Sequence, residues 1–300
     1  MTIAMPLRVP IGICNVMTFT VFFPLNVLLI WVIARHGDLK KLWAYKIITH
    51  IAVTDLIILF IVVSTGTLSV MDYSSRNFLS QLCYSLSLSI KLTGTLLSFT
   101  LAFNRLFVML EIKLFDRGLV YWTMVGISWL VGIFLLIFFL CTLPETFYIP
   151  SMHRFESDYV HTLTYSMWSS LVQTLVFIVS GVIYVLIGVK ITWRRASVST
   201  QEIWLSIQAM LPFIWFLVTE LLMFIKLRVH FDDDVFAITF MFFSRYIPVV
   251  HITTYMALNR TLRKEMLAVL GVPKTCRKKV NVVANTISSQ ISRRHGLRCT

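Results

Sequence analysis

Three hundred residues would make about two soluble domains, but hydrophobic side chains are 57% of the chain, charged ones only 14%, and mean hydropathy is +0.80. A soluble domain carries about a quarter charged residues, so this composition excludes a disordered chain, a collagen and a disulfide miniprotein and points to lipid as the solvent. The net charge of +13 suggests a nucleic-acid partner only until the placement of the basic residues is considered; no nucleic acid is expected.

Seven apolar segments are each long enough to cross about 30 Å of hydrocarbon as a helix. The first runs from Pro10 to Ala34 and the second from Ala44 to Val70. The third, Gln81 to Leu110, carries Lys91 and so faces other helices rather than lipid. The fourth, Tyr121 to Leu143, has no charge at all. The fifth runs from Leu163 to Trp193 and the sixth from Ile203 to Leu227. The seventh, Val235 to Leu258, carries Arg245. The expected fold is all-α, a seven-transmembrane helix bundle over residues 1–258. A short amphipathic helix at 259–270 and a disordered basic cytoplasmic tail at 271–300 follow.

Direction follows from charge. The segments Arg35–Lys46, Arg105–Arg117, Lys190–Arg195 and Arg260–Arg298 hold 20 of the 27 basic residues, against five on the opposite side. The positive-inside bias then puts the N-terminus outside and the C-terminus in the cytoplasm of a multi-pass protein, and plasma membrane is the expected location. The first apolar run is too long for a cleaved signal peptide, and no internal repeat suggests a transporter of inverted halves.

Asp55 stands in the middle of a span, where a carboxylate is costly unless paired or hydrated. Lys91 lies 14 residues before Arg105, about 21 Å up a helix that rises roughly 1.5 Å per residue. Glu220 lies in the outer half of the sixth span, and Arg245 is ten residues, or about 15 Å, above Tyr255. Lys91, Glu220 and Arg245 therefore converge on one depth from three helices. Either Glu220 pairs with Lys91 or Arg245 to close the bundle, or the group forms a ligand pocket with a surplus positive charge suited to a carboxylate or a polarised carbonyl. Tyr84, Trp168, Trp215 and Tyr246 either line that cavity or serve as packing and interface aromatics. Asp232 to Asp234 read as a solvated acidic loop, since no EF-hand spacing follows them.

Between Asn259 and Leu270, Leu262, Met266, Leu267 and Leu270 share one helical face, flanked by Arg260, Arg263 and Lys264. Gly271 and Pro273 end the helix. Cys276 among Lys274, Arg277, Lys278 and Lys279 reads as a palmitoylation and lipid-contact candidate, or as a free thiol on a tail. Arg194-Arg195-Ala196-Ser197 fits a basophilic kinase site. The sequon at Asn259 lies on the cytoplasmic side and is not expected to be glycosylated.

The chain has no GxSxG, HExxH, P-loop or GxGxxG, and no cysteine pair at CxxC spacing. Neither catalysis nor a metal or other cofactor is expected.

Four segments in order resemble the rhodopsin-like G-protein-coupled receptors: Asn26 in PLNVLLIWVI, Asp55 in AYKIITHIAVTDLI, Asn104-Arg105 in LSFTLAFNRLFVML, and Trp129 in GISW. The stretch IPVVHITTYMALNRTLRKEML looks like that family's last span running into its amphipathic helix. The wording AFNR, the spacing of Pro248, Tyr255, Asn259 and Arg263, and AYKI before Asp55 look like the nematode serpentine chemoreceptors, with the Srt, Srv and Srx classes nearest. The chain departs from the family pattern in three places. Asn104 replaces the acid before the third-span arginine, His251 and a displaced Pro248 replace NPxxY, and the loop Pro144–Thr162 has no cysteine for Cys83, although Cys141 precedes it.

The resemblance implies a chemosensory-type receptor that activates a heterotrimeric G protein, and the shared depth of the charged residues puts a small-molecule site in the outer half of the bundle. Ligand residues would be Lys91, Glu220, Arg245, Trp215 and Tyr246. Asn26, Asp55, His251, Tyr255 and Pro212 would form the switch, with an Asp55–His251 contact where the family places sodium and an asparagine. Asn104, Arg105, Arg194 and Arg195 would meet the G protein; a membrane anchor is the plainer role for Arg105. The alternative is a seven-span ligand-gated channel subunit or transporter, with Asp55, Lys91, Glu220 and Arg245 along a conduction path.

Overall fold

The structure is a computed structural model that describes residues 5–74, 78–111, 118–142, 146–150, 154–156, 159–193, 200–229 and 243–271. Helices α1 (Met5–Arg35), α2 (Gly37–Lys41), α3 (Trp43–Val70), α4 (Phe78–Leu110) and α5 (Leu119–Thr142) come first. A two-stranded hairpin follows, β1 (Phe147–Ile149) with β2 (Arg154–Glu156), antiparallel and pairing Tyr148 with Phe155. Then come α6 (Tyr159–Trp193), α7 (Thr200–Val229), α8 (Ile247–Leu258) and α9 (Arg260–Val269).

Among the described residues, six helices are long and apolar enough to cross a membrane, namely α1, α3, α4, α5, α6 and α7; α8 is a shorter apolar helix. The outward faces fit a lipid solvent. On α5, Leu130, Phe134 and Ile137 are exposed, and on α6 so are Leu175, Val182 and Val185. A continuous apolar surface of this kind is unstable in water and costs nothing in hydrocarbon. The chain is accordingly a helical, multi-pass membrane protein in its architecture.

Polar residues sit inside the bundle instead. Helix α4 packs against α3, α5, α6 and α7, which makes it the central strut. It buries Ser85, Ser89, Thr93, Thr95 and Thr100. Thr93, Thr95 and Thr100 return their hydroxyl protons to carbonyls four residues back, so they enter an apolar interior already satisfied. Helices α1 and α3 meet backbone to backbone: a Cβ on Gly12 would lie 2.9 Å from Gly66 O, and one on Gly66 would lie 2.9 Å from Gly12 O.

Two helix ends carry local devices. Asp72 has φ of 52°, Tyr73 N donates to Leu68 O at 3.1 Å, and Arg8 forms an ion pair with Asp72. This is a Schellman-type stop for α3 with aspartate in the left-handed position. Gly271, at φ of 69°, follows α9 in the same conformation.

Helix α8 begins at Ile247, after a break at Tyr246 (φ −94°, ψ 14°), with Pro248 in the first turn where its missing N–H costs nothing. The expectation of one unbroken helix from Val235 to Leu258 is corrected to that extent; residues 235–242 lie outside the described residues.

Candidate functional site

Two polar clusters occupy the bundle, the first buried and the second partly so. The deeper one joins α3 to α8. Asp55 and His251 are both almost fully buried, and His251 Nδ1 lies 2.9 Å from each Asp55 oxygen. The direction of this bond follows the tautomer: a carboxylate accepts from Nδ1–H, and a protonated carboxyl group donates to a bare Nδ1. The His251 ring stacks on Tyr255, one helical turn on, with centroids 6.1 Å apart and planes 5° apart. Tyr255 lies within electrostatic range of Asp55 and of Tyr184 on α6, and Tyr184 within range of Arg105. The Tyr184 hydroxyl donates to Ala209 O of α7 at 3.0 Å. Pro212 of α7 has no N–H to give Gln208 O, so the helix lacks a rung beside that contact.

Arg105 is buried, at 6% exposure, rather than reaching out to a membrane surface. The anchor role weighed from its position in the chain does not describe it. Asn26 does not join the cluster: its amide donates to Phe22 O of its own helix at 3.0 Å, and its Oδ1 has no hydrogen-bond partner among the described residues. Asn104 Oδ1, Ser206 Oγ and Gln208 Oε1 are likewise buried without one.

The second cluster lies nearer the hairpin. Lys91 Nζ and Glu220 Oε1 form an ion pair at 2.7 Å that links α4 to α7, although the approach is not aligned as a hydrogen bond. Arg245 is not confined to this pair. It hydrogen-bonds the Tyr148 side chain, whose hydroxyl is 2.6 Å from Ser69 Oγ of α3. Tyr246 donates to Asn15 Oδ1 of α1 at 3.2 Å and meets Cys14 Sγ at the same distance. Trp215 Nε1 donates to Phe243 O at 2.7 Å, and its ring stacks on Phe243. The predicted ligand residues are thus held by contacts within the protein. Tyr84 packs on Phe155 of the hairpin. The Trp168 side chain lies outside the described residues.

Cys83 and Cys141 are both free thiols. Arg194, Arg195, Ser197, Asp232 to Asp234 and Cys276 lie outside the described residues. Trp129 Nε1 donates to His50 Nδ1 at 3.2 Å.

Helix α9 departs from the lipid-facing role expected for it. Leu262 and Met266 are fully buried in the main core, while Leu270 is exposed. Arg263 is also buried, and its Nη1 donates to Met256 O at 3.0 Å and Ala257 O at 2.7 Å. Asn259 caps α9 through Leu262 N and donates to Tyr45 OH at 3.0 Å, so its amide is already engaged on both sides.

Tyr148, Ser69 and Tyr184 were not singled out from the sequence. Tyr148 lies in a loop with no periodic pattern, and Ser69 and Tyr184 look like ordinary residues of apolar spans. Fold and clusters together define a multi-pass helical membrane protein with buried polar links between helices. No family model matches the chain, and no curated protein matches it.

Proposed function

We propose that this protein is a seven-span, G-protein-coupled receptor of chemosensory type. Its N-terminus lies outside the plasma membrane and its tail, with Cys276 as a lipidation site, lies in the cytoplasm. The observation that carries the reading is the Asp55–His251 pair, buried between α3 and α8 and stacked on Tyr255. A carboxylate in the middle of an apolar bundle is expensive and points to function by default.

A small molecule would enter the outer cluster of Lys91, Glu220, Arg245, Trp215 and Tyr246 and shift an existing equilibrium. Pro212 leaves α7 a weak point, about which its inner end would swing once the Tyr184–Ala209 contact breaks. Asn104, Ser206 and Gln208 hold buried polar atoms that such a movement can pair. The inner surface, with Asn104, Arg105, Arg194 and Arg195, would then dock a heterotrimeric G protein.

The test is a small-molecule screen in cells with calcium and cAMP readouts, alongside Lys91→Ala and Arg245→Ala. Ligand-evoked signals that vanish when G proteins are blocked, and lose potency in either variant, are expected. Ligand-evoked current that persists under the block would overturn the receptor reading in favour of a channel. Epitope tags on the two termini should be reached from opposite faces of the membrane.

A further inference from the structure

Tyr148 comes from the hairpin, yet its side chain is fully buried. Its ring packs on Phe155 at 5.1 Å between centroids, and Phe155 packs on Tyr84 of α4 at 5.6 Å. Its hydroxyl reaches Ser69 of α3 and Arg245, two residues before α8. The directions of these bonds follow by elimination. Ser69 gives its own proton to Thr65 O at 2.9 Å, so the Tyr148 hydroxyl donates to Ser69 Oγ. The guanidinium has donors only, so Arg245 donates to the phenol oxygen. Donor and acceptor capacity of the phenol are both met by residues of the bundle.

The site therefore has an acceptor for a phenol proton, a cationic donor for a phenol oxygen, and one aromatic wall, Phe155, backed by Tyr84. Its present occupant is attached through a hairpin of three residues per strand, held further by Ser74 Oγ donating to Tyr148 O at 3.1 Å. So short a hairpin is marginal by itself, and exchanging its side chain for a free molecule disturbs few backbone bonds.

The geometry points to Ser69 and Arg245 as a binding site for a small phenol, with Tyr148 as a tethered occupant that a phenolic ligand replaces. This names the ligand class of the receptor reading above and rests on it. A tethered phenol competes at an effective concentration on the order of millimolar. An external ligand must therefore bind more tightly than the phenol group alone, which sets a threshold for response.

The experiment uses the full chain purified in lipid nanodiscs, as wild type, Tyr148→Ala and Tyr148→Ala/Arg245→Gln. The probes are p-cresol, which is the tyrosine side chain itself, and toluene, which lacks the hydroxyl. Tyr148→Ala should unfold at a lower temperature than wild type. p-Cresol should restore that temperature saturably, binding at least about tenfold more tightly than toluene, as one charge-assisted hydrogen bond supplies. The preference should disappear in the double variant.

Equal effects of the two probes, or no effect of either, overturn the proposal. If Tyr148→Ala does not fold, it is expressed with each probe in the medium. Recovery of folded protein with p-cresol and not toluene is expected, and recovery with neither, or with both alike, overturns the site. Binding of p-cresol to Tyr148→Ala without any change in basal G-protein signalling leaves the site standing and counts against the receptor reading, so the two fail separately.

Discussion

His251 Nδ1 is equidistant, at 2.9 Å, from the two carboxylate oxygens of Asp55, and each side chain is nearly shut off from solvent. Pairs of this kind are weak evidence of net stabilisation, because desolvation offsets their attraction, but removing one partner strands the other. His251→Leu should cost about 3 kcal/mol. Asp55→Asn on that background should recover more than half of the loss. Thermal unfolding of the detergent-solubilised single and double variants checks this, and additive losses would mean that the pair is not coupled.

Tyr148 gives a pH dependence with a defined sign. Burial raises its phenol above the ordinary value of 10.0, and Arg245 and Ser69 pull the other way with smaller effect. The folded pKa is above the unfolded one, so the contribution to stability is fully present below about pH 10 and is lost as pH rises through the folded value. Wild type should lose stability faster than Tyr148→Phe as pH rises above about 10, by at most about 1.4 kcal/mol per pH unit. Unfolding temperatures of the two proteins across that range measure the difference, and parallel curves would contradict it.

The corner between α8 and α9 should be sensitive out of proportion to its size. Asn259→Ala removes an N-cap, worth about 1 kcal/mol, and also the amide that donates to Tyr45. Arg263→Met keeps the buried stem but leaves Met256 O and Ala257 O without their donor, at roughly 1–3 kcal/mol. Hydrogen exchange at residues 260–269 should rise in both variants, and an unchanged pattern would show that the corner is held by Leu262 and Met266 alone.

The positions of the long helices were legible because the hydropathy of a span is a local property of about 20 residues. The convergence of Lys91 on Glu220 was legible too, since a constant helical rise turns chain separation into depth. The Asp55–His251 contact was suggested by resemblance, and the structure brings those two residues together at hydrogen-bond distance. Depth does not settle which face a residue presents. Arg245 was expected at the depth of Glu220, yet it bonds Tyr148, nearly a hundred residues away in the chain. Arg263 flanks the apolar face in the sequence, yet it is buried on Met256 O and Ala257 O, because amphipathic spacing marks the apolar face without saying whether lipid or protein covers it.

The amino-acid sequence by itself determined where the six long apolar helices now described lie, the burden of charge at their ends, and which ionisable residues must be kept from lipid. Those follow from solvation, which each segment meets on its own. Only the tertiary structure decided who partners whom: Gly12 against Gly66, Tyr148 between Ser69 and Arg245, Arg263 beneath the last carbonyls of α8. Partner choice depends on the rotation and register of packed helices, and on the path of a three-residue strand too short to carry any periodic signal.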